Sequence, residues 1–330
     1  MNTAEPIRKK KSFLLFDFLY KYGTLITILL LIAVFGTMTD NFLSGTNVIN
    51  ILRSISIVTI IAIGLTVSLT VGGFDLSVGS TASLANALVI SMFVWHEHSF
   101  GLGIFITIAF CLAVGLINAF LVINFKIQDM LMTLATMFIF QGVALTYTRG
   151  ATISQNMILP NGDFATGQIP DIFGKLGQVP WIIIIMLVIV VAVHLFLSYT
   201  KHGRYMYMIG GNQEAAKLSG IAVSKYRLIA YLVSALFAAI GGIVLGARVM
   251  NAEVNAGGPY LMDAVAAAFI GYSVLGAGKP NAFGTFAGAV LIGILSNGLI
   301  MLSVPYYAMD IVKGAVLALA LAITYYKRKH

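Results

Sequence analysis

Charged residues are scarce in this chain: Asp, Glu, Lys and Arg make up 10% of it, while 59% of its residues are hydrophobic. A soluble domain carries roughly 25% charged residues. At 330 residues such a domain could not hide so much apolar side chain, because its surface is too large for its volume. A soluble globular fold is therefore excluded, whereas a bilayer solvates the apolar surface itself. Cysteine is almost absent. Cys111 stands alone inside an apolar run, so it builds no disulfide framework and gives no sign of the redox compartment.

Reactive constellations are missing as well. No Ser/His/Asp or Cys/His set has a pocket to work in, which argues against an enzyme. Gly276-Ala277-Gly278-Lys279-Pro280 looks like part of a phosphate loop, but Ser273 replaces the first glycine and Pro280 the magnesium-binding Ser or Thr. The chain therefore carries no ATPase of its own. His96-Glu97-His98 lies on a short turn without distant ligands to complete a metal site. No metal or cofactor is expected. The apolar runs also lack carboxylates at their centres: Asp75, Asp129, Asp263 and Asp310 all fall near run ends. Proton- and sodium-driven carriers keep such groups mid-membrane as relays, so the energy source is expected outside this chain.

What is present is a series of apolar runs. Crossing the hydrocarbon takes about 20 apolar residues, and candidates lie near 24–40, 48–71, 74–95, 100–123, 129–148, 180–199, 227–248, 260–277, 283–303 and 306–326. The expected fold is all-α and integral to the membrane, with about ten transmembrane helices in one domain. An even count puts both termini on one side. With the termini cytoplasmic, the inside segments collect Arg8–Lys11, Lys21, Lys126, Lys201, Arg204, Lys217, Lys225, Arg227, Lys279 and Lys327–Lys329. These are 15 of the 20 Lys and Arg, the bias that orients membrane proteins.

The net charge of +8 then reads as anchoring to anionic lipid and not as a nucleic-acid surface. Cations before the first run also resemble the start of a signal peptide, but no small-residue cleavage site follows, so an uncleaved first helix is expected. Residues 1–22 form a cytoplasmic N-terminal segment, 149–179 the longest outside loop, and 200–226 the longest inside segment.

Spans two to five recur faintly as spans seven to ten. Gly72-Gly73 and Gly257-Gly258 each lead into a helix, VGLIN ends at Asn118 as IGILSN ends at Asn297, and Asp129 and Asp310 open spans. The offsets are 185, 179 and 181 residues. The two halves would run in opposite directions, the inverted repeat of many transporters.

Three features carry polar groups into apolar surroundings. Gly72-Gly73-Phe74-Asp75-Leu76-Ser77-Val78-Gly79-Ser80 interrupts an apolar run, and freed backbone survives only inside protein or along a wet cavity. Asp75 and Ser77 can cap the helix that follows. The segment reads either as a broken helix on a substrate pathway or as a tight turn at the cytoplasmic face. Asn118 and Asn297 sit mid-span, where an unpartnered amide costs roughly 2 kcal/mol or more. They line a pathway or cross-link helices. Gly284, Gly288 and Gly293 have the spacing for close helix contact. In the inside segment, Asn212-Gln213-Glu214-Ala215-Ala216-Lys217-Leu218 is a short capped helix ending at Gly220.

The stretches GGFDLSVGS at 72–80, IGGNQEAAKLSGIAVSKYR at 209–227 and GGPYLMDAVAAAFIGYSVLGAGKPNAFGTFAGAVLIG at 257–293 together resemble the permease subunits of bacterial ribose/galactose/arabinose/xylose-type ABC importers. The resemblance covers nearly the whole chain. It implies a pore of two permease copies in the cytoplasmic membrane, a cytoplasmic ATP-binding subunit and an extracytoplasmic sugar-binding protein. Gly211, Asn212, Ala215, Ala216, Ser219 and Gly220 would then form the coupling helix that docks into the ATPase. Otherwise, that helix lies on the membrane surface. Phe74 stands where relatives usually carry Ile, an apolar exchange. Relatives also carry inositol, autoinducer-2 and, in a more distant branch, branched-chain amino acids. A stand-alone secondary carrier or a non-transporting scaffold are the rival classes.

Overall fold

The computed structural model describes residues 7–159, 162–274, 278–305, 307–316 and 318, without the side chains of 7–21 and 273. Gly276 and Ala277, the C-terminal cations Lys327–Lys329 and, of the last expected span, residues 306, 317 and 319–326 lie outside the described residues. Within them the chain is helical nearly throughout. The elements are α1 (Ile7–Met38), α2 (Gly45–Thr70), α3 (Val78–Val94), α4 (Phe100–Phe125), α5 (Asp129–Thr148), β1 (Ile153–Ser154), α6 (Asp171–Leu176), α7 (Trp181–Tyr199), α8 (Lys201–Gly211), α9 (Gln213–Leu218), α10 (Val223–Val249), β2 (Asn251–Ala252), α11 (Gly258–Ser273) and α12 (Ala282–Met301). Residues 307–316 are helical too. Each expected span therefore has a helix at its position. Six of them, α2, α4, α5, α7, α10 and α12, are long and apolar enough to cross a membrane.

The two helices at the centre are α2 and α10. α2 is buried at every position but one from Ile55 to Thr70, and it packs on α10, α11 and α12. Correspondingly, α10 packs on α2, α3 and α4. α1 covers α12, α7 covers α2 and α12, and α5 covers α3. Between spans the bilayer supplies no hydrophobic drive, because lipid tails are as apolar as leucine; close van der Waals packing must hold them. Glycine supplies it here: a Cβ at Gly64 of α2 would come 2.9 Å from the Ser234 carbonyl oxygen on α10. Outward faces are apolar, with Phe105 69% and Phe138 64% exposed, as lipid solvation requires.

The loop 149–179 holds more structure than its turn residues suggest. β1 pairs antiparallel with β2, tying the loop to the end of α10. Phe173 of α6 is buried against Phe93, ring centroids 5.0 Å apart, and Thr166 donates to the Glu97 carboxylate. Glu97 is thus engaged by the loop, while His96 and His98 stack on each other 5.9 Å apart.

Candidate functional site

The α2–α3 break is built around Asp75. Gly72 adopts φ +75°, a left-handed turn that glycine takes without a Cβ penalty, and the chain reverses into α3. Asp75 is 1% exposed. Its Oδ1 accepts from the Ser77 amide at 3.0 Å and the Ser77 hydroxyl at 2.6 Å, and its Oδ2 accepts from the Ser234 hydroxyl of α10 at 2.7 Å. Asn118 of α4 donates its Nδ2 to the Ser77 Oγ at 2.7 Å. Backbone freed by the break is taken up by α5: Thr133 Oγ1 accepts from the Leu76 amide at 3.1 Å and donates to the Phe74 carbonyl at 2.9 Å. The Leu76 amide, the Phe74 carbonyl and the Ser77 and Ser234 hydroxyls therefore find partners, as low-dielectric surroundings demand, whereas the buried Asn118 Oδ1 has none. One expectation needs correcting. Ser77 occupies the N-cap position of α3 but its hydroxyl caps nothing; the oxygen is committed to Asp75 and Asn118, and Asp75 makes an Asx-type turn instead.

Asp129, at the start of α5, is the second hub. Arg227 of α10 reaches both its carboxylate oxygens at 2.5 and 2.6 Å, and the Tyr231 hydroxyl donates to Oδ2 at 2.5 Å. Gly73 fits against this cluster: a Cβ there would lie 3.0 Å from Asp129 Oδ2 and 3.2 Å from the Tyr231 oxygen.

The segment 200–226 holds two short helices, α8 and α9, before α10 begins. The hydroxyl of Thr200 caps α8 by accepting from the Gly203 amide at 3.1 Å. Asn212 Oδ1 caps α9 by accepting from the Ala215 amide at 2.9 Å, and Gly220 ends the turn at φ +79°. Ala216 is buried, while Gly211, Asn212, Ala215, Ser219 and Gly220 are exposed. Leu218 is 88% exposed, an apolar side chain held out on a polar helix. Tyr207 of α8 donates to the Pro280 carbonyl at 2.7 Å and lies under the Lys279 ammonium, 4.4 Å from its ring centroid. Burial pushes the Tyr207 phenol up to about 12, so it remains a neutral donor.

Segment and break touch directly. A Cβ on Gly210 would run into the Thr70 carbonyl oxygen and lie 3.2 Å from the Gly72 nitrogen. Beside this contact lies a cleft of about 840 Å³, walled by Gly72, Lys126, Asp129, Gly211, Glu214 and Arg227 among others.

Residues 47–321 match the family described as "Branched-chain amino acid transport system / permease component". The chain belongs to this permease family. It is 35% identical over 310 residues to the ribose import permease protein of Escherichia coli strain K12, covering 92% of this chain and 94% of that one. It is 33% identical over 324 residues to the ribose import permease protein of Bacillus subtilis strain 168, covering 97% and 98%. Against the xylose transport system permease protein of Haemophilus influenzae the identity is 31% over 356 residues, covering 92% and 95%. No solved structure matches the chain.

In this permease the six pathway candidates do not form one group. Gly72, Gly73, Asp75, Ser77 and Asn118 meet at the break, whereas Asn297 lies elsewhere. Asn297 exchanges two hydrogen bonds, each 3.0 Å, with Asn47 at the start of α2. Asn118 and Asn297 lie toward the C-terminal ends of their helices, not mid-span. Gly284 and Gly288 pack on Gly271 and Ala267 of α11, and Gly293 on Ile55 of α2. Sequence reading missed Thr133, Tyr231 and Ser234 as members of the network. Asp129 and Arg227, opposite charges opening two spans on the same expected side, were a signal that they pair.

Proposed function

We propose that the permease is the membrane-spanning half of an ATP-binding-cassette importer carrying a pentose- or hexose-type monosaccharide across the cytoplasmic membrane by alternating access. The cargo class rests on the relatives named for ribose and xylose. A ten-span topology with both ends inside rests on the charge bias. The inverted repeat draws support from the mirrored packing, α2 on α11 and α12 and α10 on α3 and α4, as expected of such halves.

One observation carries the reading: a capped helix, α9, with Ala215 and Leu218 exposed, follows directly on α8, whose Gly210 packs on the backbone of the α2–α3 break. Such a helix needs a protein partner, and the cytoplasmic ATP-binding subunit is that partner. Its closure on ATP pushes α9, Gly210 carries the movement to Gly72, and two permease copies rock apart to receive sugar from an extracytoplasmic binding protein. Hydrolysis resets the inward-open state. Gly72, Gly73, Asp75, Ser77 and Asn118 act as the joint at the inner end of the pathway, and Asn297 fixes α12 to α2 at the outer end. Lipid surrounds the outward phenylalanines.

Trp at Gly211 or Ala215 (Gly211→Trp, Ala215→Trp) puts an indole between α9 and its partner. Both variants insert normally and lose ATP-driven D-ribose uptake. Undiminished uptake by both would remove α9 from the coupling path.

A further inference from the structure

A second cavity, of about 440 Å³, lies among α2, α10, α11, α12 and the helical residues 307–316. Its polar lining includes Arg248, Glu253, Tyr260, Asp263, Ser296 and Lys313 besides Ser54, with an aliphatic wall from α2 and α12 behind them. Asp263 and Lys313 pair at 3.0 and 3.1 Å, and their side chains remain 20% and 23% exposed. A charged pair on spanning helices does not face lipid; it faces protein or water. Here it faces the cavity.

Two further properties define what could enter. The lining holds two cations and two anions, so no net charge selects an ion. Ser296 Oγ is buried and has no hydrogen-bond partner, and an unsatisfied buried hydroxyl is costly. Small-molecule sites are concave, mostly apolar and supplied with a few placed polar groups, in cavities of about 300–1,000 Å³. Glu253, at the rim, is exposed and follows the end of α10 that the charge bias puts outside.

We propose that this cavity is an outward-opening way-station for a neutral polyhydroxylated solute of monosaccharide size, held within a single permease copy, with Ser296 as one of its hydrogen-bond partners. The assignment rests on the importer reading above. A zwitterion fits less well, because Lys313 and Asp263 already neutralise each other.

The test uses the whole importer in proteoliposomes. Native Cys111 is buried, so a cysteine placed in the lining, Ser54→Cys, is labelled by a membrane-impermeant thiol reagent added outside. Saturating D-ribose slows that labelling about fivefold or more, the protection expected when bound solute occupies the cavity for most of the time, and leucine does not. In a separate arm, Ser296→Leu lowers D-ribose uptake about fivefold, the worth of one hydrogen bond, while Ser296→Thr retains it. If Ser54→Cys is unlabelled, or is protected by leucine instead, the proposal is overturned. So it is if labelling ignores both solutes while wild-type uptake of D-ribose proceeds. Wild-type importer that takes up no monosaccharide defeats the importer reading itself, which separates the two failures.

Discussion

Asp129 shows how one carboxylate can hold a joint. Its two oxygens collect Arg227 and Tyr231, and its side chain is only 16% exposed. Removing one partner of a largely buried pair leaves the other charge uncompensated, which costs about 3 kcal/mol. Asp129→Asn, nearly equal in volume, therefore lowers the thermal unfolding midpoint of the detergent-solubilised permease clearly. Tyr231→Phe, which removes one hydroxyl, costs about 1 kcal/mol. An Asp129→Asn midpoint equal to wild type would contradict the hub. At this scale the sequence was half legible. Asp75, Asn118 and Asn297 announce themselves because polar groups in hydrocarbon require partners. The partners do not: Ser77 is 41 residues from Asn118, Ser234 is 159 from Asp75, and Asn47 is 250 from Asn297. Serine and threonine are common on spanning helices, so no local signal marks the ones a fold will recruit.

Among elements, α9 was readable in advance because its cap, acidic first turn and terminal glycine all obey local rules. Its neighbour α8 was not. Gly203, Gly210 and Gly211 lower its intrinsic propensity, and tertiary contacts supply what propensity lacks: Gly203 fits against the Leu197 backbone and Gly210 against Thr70. The same override produced β1 and α6 in a stretch that reads as turns, with β1 pairing to β2 beyond the end of α10. The short helix α9 depends on its cap. Asn212→Ala removes about 1 kcal/mol of helix stability, so affinity for the ATP-binding subunit falls about fivefold when titrated on the reconstituted permease. Asn212→Asp, which keeps a capping oxygen, stays near wild type. Equal affinity in all three would mean that α9 is not the docking element.

Across the whole molecule, the spans were the most legible feature, since length and apolarity alone demand them. Their arrangement was legible less directly: the paired Gly-Gly breaks and the Asn118/Asn297 match suggest two equivalent halves, and the packing of α2 on α10 at the centre had no local signal. Near-absence of carboxylates within the spans has a consequence for energy. Two carboxylates at span ends are neutralised by cations, Asp129 by Arg227 and Asp263 by Lys313, while Asp75 is held by the Ser77 and Ser234 hydroxyls.

The central claim is that this chain forms half of a pore driven from another subunit. Its most direct test is D-ribose accumulation in proteoliposomes containing the permease, with and without its ATP-binding subunit and binding protein. Accumulation is predicted only when both partners and ATP are present, and it should be indifferent to collapse of the proton and sodium gradients. Gradient-driven accumulation by the permease alone would contradict the account.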